Sequence, residues 1–277
     1  MSRFSTDWLS LREPFDHRAR STALTERLFA ALSDRERPLR VVDLGCGHGS
    51  NLRYLAPRLP QPQQWRLIDH DPALLGWIAG QPSPVGTSLT LEERDLSDGL
   101  GDLPLDVDVV VTSALLDLVS RPWLASLANR CAGAGLPLLA ALTVNGSVRF
   151  SPAHPGDADV MRWFRAHQKT SRGFGPSPGP AAADVLAGML EDVGMVVYTD
   201  HSDWHIDAGQ RQMLDEMIAG IAAAARECSP RPADVDRWLA ERSAAVAAGA
   251  VSLVVGHLDL LALSRPAISS PAHQAGG

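Results

Sequence analysis

Residues 41–49 read VVDLGCGHG: an apolar strand carrying an acid at Asp43, then glycines at 45, 47 and 49. A strand that stops in a Gly-x-Gly turn and opens into a helix brings backbone N–H groups close to a ligand, because glycine has no Cβ to hold it away. Such a turn suits a nucleotide-type ligand. Position 50 is serine, so the third glycine comes one residue too early for the dinucleotide pattern Gly-x-Gly-x-x-Gly, which disfavours a nicotinamide dehydrogenase.

Outward from this turn, short β-branched runs alternate with helical segments: LRVVDL, a helix from Ser50, WRLID, a helix after Pro72, SLTLEE, VDVVVTS and GLPLLAAL. Five such runs joined by helices predict a parallel sheet covered on both faces. A helix at about 181–192 leads to GMVVYTD, and AVSLVVGHLDLLAL at 250–263 reads as the last strand. Ahead of the first strand, Leu24, Leu28, Phe29 and Leu32 recur at helical spacing, so residues 1–36 form an N-terminal helical cap.

Two stretches exceed what the sheet needs. Residues 145–180 hold SPAHPGD and SRGFGPSPGP around MRWFRAHQK, and their length and Gly/Pro content predict a lid. Residues 208–248 read as two helices broken at the SPRP of 229–232, seated beside that lid. The division is thus a single domain over 1–264 with a disordered tail at 265–277, rich in Ser, Pro, Ala, Gln and Gly.

Composition narrows the setting. The 277 residues carry a net charge of -7 with 45% hydrophobic and 21% charged residues, which is unfavourable for tracking a phosphate backbone, so nucleic acid is a poor partner. Cys46, Cys131 and Cys228 are odd in number, far apart and without Cys-x-x-Cys spacing, which points away from disulfides and zinc and towards a reducing cytoplasm. No apolar run approaches the roughly 20 residues that span a bilayer, and the N-terminus is too charged for a signal peptide. A second copy of the chain, in a homodimer, is compatible with this composition.

The Asp-x-Gly-x-Gly-x-Gly of 43–49 resembles the first motif of class I S-adenosylmethionine (SAM) methyltransferases, and the strand ends that follow extend the likeness in order. The resemblance implies a Rossmann-like, mostly parallel sheet of seven strands, the seventh antiparallel between the fifth and sixth, with SAM as cofactor. Gly45 and Gly47 then admit the methionine portion, and Asp43 holds its ammonium directly or through water. Asp69 ends WRLID 20 residues after Gly49, where an acid accepts both ribose hydroxyls, with His70 beside the adenine. In LEERDLSD, the family's acid before an apolar residue corresponds to Asp95 before Leu96, placed to accept the adenine amino group. Thr112 and Ser113 end the fourth strand beneath the transferring methyl. Arg12, Arg18 or Arg20 covers the cofactor carboxylate from the N-terminal arm. The Asn/Asp-Pro-Pro-aromatic tetrapeptide that grips planar amino groups in amide and adenine N-methyltransferases is missing, which lowers such acceptors.

On the acceptor side, in-line displacement at a sulfonium needs a positioned nucleophile, excluded water and, for some acceptors, a base. Polar residues past strand six are candidates, chiefly His201 and Asp203, which share a face with His205 and Asp207 if the strand continues. His154 and His167 in the lid are alternative bases, and Trp163, Phe164 and Phe174 offer an aromatic wall. His257 and Asp259, two apart on the final strand, read as a mutually satisfied core pair outside the site. No metal is expected. The acceptor expected is a small molecule with an O, N or S nucleophile; an RNA-directed methyltransferase and a catalytically silent SAM-binding regulatory module are the competing readings.

Overall fold

The computed structural model describes residues 5–34, 37–101, 106–168 and 175–265. The tail after 265, Phe174 and the middle of the Gly/Pro-rich stretch lie outside them. The runs read as strands fall into one sheet: β1 (Leu39–Leu44), β2 (Gln63–Asp69), β3 (Thr87–Glu93), β4 (Val109–Ser113), β5 (Leu138–Ser151), β6 (Val196–His201), β7 (Trp204–Ile206) and β8 (Ser252–Leu263), in the order β3-β2-β1-β4-β5-β8-β6 with β7 also on β8. The pairs from β3 across to β5 are parallel. The last strand, β8, runs antiparallel to both β5 and β6.

Helices cover both faces. On one side α5 (Arg121–Gly133) and α7 (Ala182–Asp192) bury Trp123, Leu124, Leu127, Leu186 and Leu190 against Val42, Val110 and Leu138. On the other, α2 (Thr22–Leu32) presents Leu24, Leu28 and Leu32 to Val41, Val109 and Leu139, alongside the short α3 (Ser50–Leu55) and α4 (Pro72–Ala79). The spacing of four that marks α2 in the sequence is the stripe it buries. Ser21 caps this helix by accepting from Leu24 N at 3.1 Å.

Two features differ from the expectation. Among the described residues the sheet has eight strands because β8, at 12 residues, is twice the length of β6, and its first half pairs with β7 instead. The chain switches partners at Ser202 and Asp203: Ser202 N donates to the His257 carbonyl, and the Asp203 carboxylate accepts from His257 N at 3.0 Å. Residues 145–151, expected as the start of a lid, are strand, since β5 continues beside β8 with Phe150 opposite Leu253. The helix-forming part of that stretch is α6 (Asp157–Gln168).

The second stretch forms α8 (Arg211–Cys228) and α9 (Pro232–Ala247), interrupted at the expected prolines. Met213, Leu214, Ile218, Val235 and Trp238 join Val160, Met161 and Trp163 of α6 in a separate apolar cluster above the sheet. One polar joint locks it. Asp157, at the start of α6, accepts from Trp238 Nε1 at 2.8 Å and pairs with Arg242, whose side chain is 3% exposed. Burial works against the ionised Asp157, yet the bonds from Arg242 and Trp238 hold its pKa below the usual carboxylate range.

Asp157→Ala leaves Arg242 buried without its carboxylate. It should cost about 2 to 3 kcal/mol in urea unfolding, below the full loss for a buried pair because the Asp157 side chain is 20% exposed. A loss under about 0.5 kcal/mol would show that the joint is not what holds α6 to α9.

Candidate functional site

The carboxyl ends of β1, β2 and β4 and the turn after β3 open on a common cavity. It is lined by Asp43, Gly45, Gly47, Asp69, His70, Asp95, Leu96 and Ser113, and by Arg12 of α1 (Thr6–Ala19). The structure thus brings together most of the residues that the sequence assigned to a cofactor. Of the three candidate arginines only Arg12 lines it: Arg18 lies over the Phe15 ring, and Arg20 is buried with Asn51. Thr112 turns its hydroxyl to the Leu44 carbonyl at 2.8 Å and serves the sheet.

The floor of the cavity is a backbone cradle. Gly45 and Gly47 have φ of 68° and 55°, a region that L side chains rarely adopt, and a Cβ on Gly45 would press on Leu115 at 3.3 Å. Asp69 shapes this cradle from the neighbouring strand. Its two carboxylate oxygens accept from Gly47 N at 2.8 Å and from Asp71 N at 3.0 Å. A carboxylate has about four lone-pair sites, so acceptor capacity remains for a ligand.

Asp43 is the most loaded group. It is fully buried, one oxygen accepts from Asn51 Nδ2 at 3.1 Å, and the other has no hydrogen-bond partner among the described residues. Burial pushes its pKa up to about 7, against the hydrogen bond from Asn51 and the charge of Arg20, while Asp69 adds to the rise. A buried carboxylate oxygen without a partner, at the end of the glycine strand, is chemically suited to a cationic group.

α1 walls the site. Glu13 binds Arg53 and His48, and His17 Nε2 lies 3.1 Å from the Ser50 carbonyl, so α1 is stitched to the segment after the glycines. Burial opposes the charge on Glu13, but bonds from Arg53 and His48 hold its pKa at about 2. His48, Asn51 and Asp16 also line or brace the cavity, and the sequence reading missed them. Trp8, Arg12 and Asp16 recur every four residues, a helical stripe that signals one shared face.

Beyond Arg12 lies a second cavity of ≈ 790 Å³. It shares Arg12, Ala114 and Leu118 with the first, and Trp8, Val148, Phe164, Trp204, Met217 and Ile221 make most of its wall apolar. Ala114, at the junction, has φ of 52°, a strained backbone for a residue with a Cβ. His167 lines this cavity, with Nε2 3.3 Å from a Glu227 carboxylate oxygen.

His201 and Asp203 line neither cavity. β6 ends at His201 with the ring 75% exposed, and Asp203 is spent on the His257 backbone where the chain crosses to β7. The alternation expected of 201–207 holds, with Ser202, Trp204 and Ile206 buried and His201, His205 and Asp207 exposed, but none of the four polar residues of that face lines either cavity. His257 and Asp259 are not partners either: His257 Nδ1 bonds the Val255 carbonyl, whereas Asp259 accepts from Leu142 N and Ser21 N. Among the described residues no group of three or more His, Cys, Asp or Glu is arranged to hold a metal, and no helix is long and apolar enough to cross a membrane.

No protein-family model and no curated sequence matches the chain. Solved structures do. A cyclopropane-fatty-acyl-phospholipid synthase-like protein from Lactobacillus casei superposes with a TM-score of 0.53 at 16% identity, over 94% of each chain. A cyclopropane synthase from Mycobacterium tuberculosis gives 0.51 at 13% identity, again over 94% of each. At these identities the likeness is one of fold, and the fold is that of class I methyltransferases.

Proposed function

We propose that this chain is a SAM-dependent methyltransferase, with the first cavity for SAM and the second for a small-molecule acceptor. The observation that carries this reading is the convergence on one cavity of Asp43, the glycine cradle, Asp69, Asp95 and Ser113, which come from successive strand ends. The residues present fit the cofactor. The free oxygen of Asp43 suits an ammonium, the remaining capacity of Asp69 suits ribose hydroxyls, and His70, Asp95 and Leu96 border the place left for adenine. SAM supplies an electrophilic methyl on a sulfonium.

The chain's own part is to bind, orient and exclude water. Arg12 is held by both oxygens of Asp16, at 2.9 and 3.0 Å, and lies over the Trp204 ring, so it stands fixed between the cavities. From there it meets a ligand carboxylate on the cofactor side. The second cavity has the size of ordinary small-molecule sites and is roofed by α6 and α8, which makes the stretch around α6 a lid over the acceptor. In this reading the free cavity wall, not the exposed His201, faces the nucleophile.

Calorimetry should show SAM and S-adenosylhomocysteine binding in the micromolar range, about 7 to 8 kcal/mol. Heat with NAD and none with either of these would remove the reading. An extract of metabolites incubated with methyl-labelled SAM should then yield a labelled small molecule by mass spectrometry.

Asp43 gives that binding a pH signature. The carboxyl titrates at about 7 in the free chain, and an ammonium beside it favours the ionised form, so binding should release protons. Affinity should fall as pH drops below 7, by up to about tenfold per unit, and level off above it. Titrations at pH 6, 7 and 8 in two buffers of different ionisation heat measure both; constant affinity without proton release would place the ammonium elsewhere.

Asp69→Ala removes a ribose acceptor and the brace of the glycine turn together. It should cost at least about 1.5 to 3 kcal/mol of SAM affinity. A proteolytic nick near Gly173 to Gly179 should leave SAM binding nearly intact while methyl transfer collapses, because the residues assigned to the cofactor lie outside that stretch. A nicked chain that turns over at the intact rate would make the stretch an inert loop.

A further inference from the structure

The wall of the second cavity is apolar except at a few points, and one of these is built differently from the rest. His257 sits on β8 at 2% exposure, pressed against the Trp204 ring with centroids 4.8 Å apart. Its Nδ1 is 3.0 Å from the Val255 carbonyl, which accepts, so Nδ1 carries the proton and Nε2 is the lone-pair nitrogen. Among the described residues Nε2 has no hydrogen-bond partner, although the ring lines the cavity. The mount is rigid. Asp203 accepts from His257 N, Ser202 N donates to the His257 carbonyl, and Asp16 accepts from Trp204 Nε1 at 3.1 Å.

Resting on the methyltransferase reading, we propose that His257 Nε2 receives the hydrogen of the acceptor's nucleophile, and that the acceptor is a predominantly apolar molecule presenting a hydroxyl. Apolar contact with Trp8, Val148, Phe164, Met217 and Ile221 binds the body of such a molecule, and the hydroxyl finds its acceptor at Nε2. Arg12, which borders both cavities and lies over the Trp204 ring that also packs against His257, marks the side on which the methyl arrives.

The step balances without another reactant. A lone pair of the hydroxyl oxygen forms the new C–O bond as the donor's C–S bond breaks, and the C–S pair stays on sulfur as a neutral thioether. The hydroxyl proton passes to Nε2 and from there to water. Basicity selects among nucleophiles. Burial, and then the charge of Arg12, lower the His257 pKa to about 3, against the Val255 bond and Asp203. An imidazole this weak stays neutral and ready to accept, and it takes a proton from the oxonium that forms as the methyl arrives. It does not take one from an ammonium, a far weaker acid, so an amine acceptor gains nothing from this group.

The test compares two probes of one shape, 4-propylphenol and 4-propyltoluene, bound to the complex of the chain with S-adenosylhomocysteine. His257→Phe keeps the ring against Trp204 and removes the acceptor nitrogen. The ratio of the two affinities should move by at least about tenfold towards the toluene in the variant. A ratio constant within twofold, or no binding of either probe to the wild type at 1 mM, overturns the assignment. Should the variant fail to fold, nitrogen-15 spectra of the wild-type imidazole decide: the phenol should shift the Nε2 resonance and the toluene should not, and equal shifts overturn the proposal. If S-adenosylhomocysteine gives no binding heat, the cofactor reading falls and this one with it; if it binds and the ratio stands still, only the role of His257 falls. A natural acceptor found methylated on nitrogen would also count against it.

Discussion

A carboxylate at 1% exposure has to be answered by the chain around it, and in this protein that carboxylate is Asp259. One oxygen accepts from Leu142 N at 2.8 Å, on a residue whose φ of 55° kinks β5. The other accepts from Ser21 N at 2.9 Å and lies 3.6 Å from Arg20 Nε. Two distant parts of the chain, β5 and the turn between α1 and α2, are thereby held to the middle of β8. Arg20 passes the restraint on, donating to Asn51 at 2.8 Å, and Asn51 donates to Asp43. The carboxylate that faces the glycine cradle is therefore oriented by a line of buried polar groups starting on the antiparallel strand. Removing any member leaves another buried group unpaired, which costs more than the bond itself is worth.

The same line explains why α1 closes the site. Its last turn leads into Arg20 and Ser21, so the helix is anchored at its end by Asp259 and along its side by Glu13 and His17. What remains free is the face with Trp8 and Arg12, which becomes a wall common to two cavities. Chain crossing from β6 to β7 supplies the opposite side, because it turns Trp204 inward beneath Arg12.

Local chemistry was legible in the sequence wherever a few adjacent residues determine the outcome. Glycines 45 and 47 permit the positive φ that the turn requires; the α2 stripe buries because its spacing matches a helix; the SPRP at 229–232 separates two helices because proline cannot continue one. The places of Asp43, Asp69, Asp95 and Ser113 follow from a parallel sheet, which delivers every strand end to the same edge. Asp203 and His257 were misread for the opposite reason. Each looks like a polar residue on a regular strand, but the pairing of β8 with β6 and then β7 is set by contacts about 50 positions away, and a strand that changes partner reassigns every side chain near the crossing. Nothing local to HSDWHID records that β8 outlasts β6.

That asymmetry has a structural origin. The groups proposed to face the cofactor sit on the parallel half of the sheet, where register is uniform and each lies at or just past a strand end. The proposed acceptor cavity is built instead from α1, the far end of β5, β8 and the α6–α8 layer, elements that meet only in the finished fold. Side chains there answer to packing and not to a motif. A sequence reading therefore reaches the cofactor side before the acceptor side, and the polar groups worth testing in such a cavity are those that the fold has left with one unspent atom, as it has Asp43 on one side of Arg12 and His257 on the other.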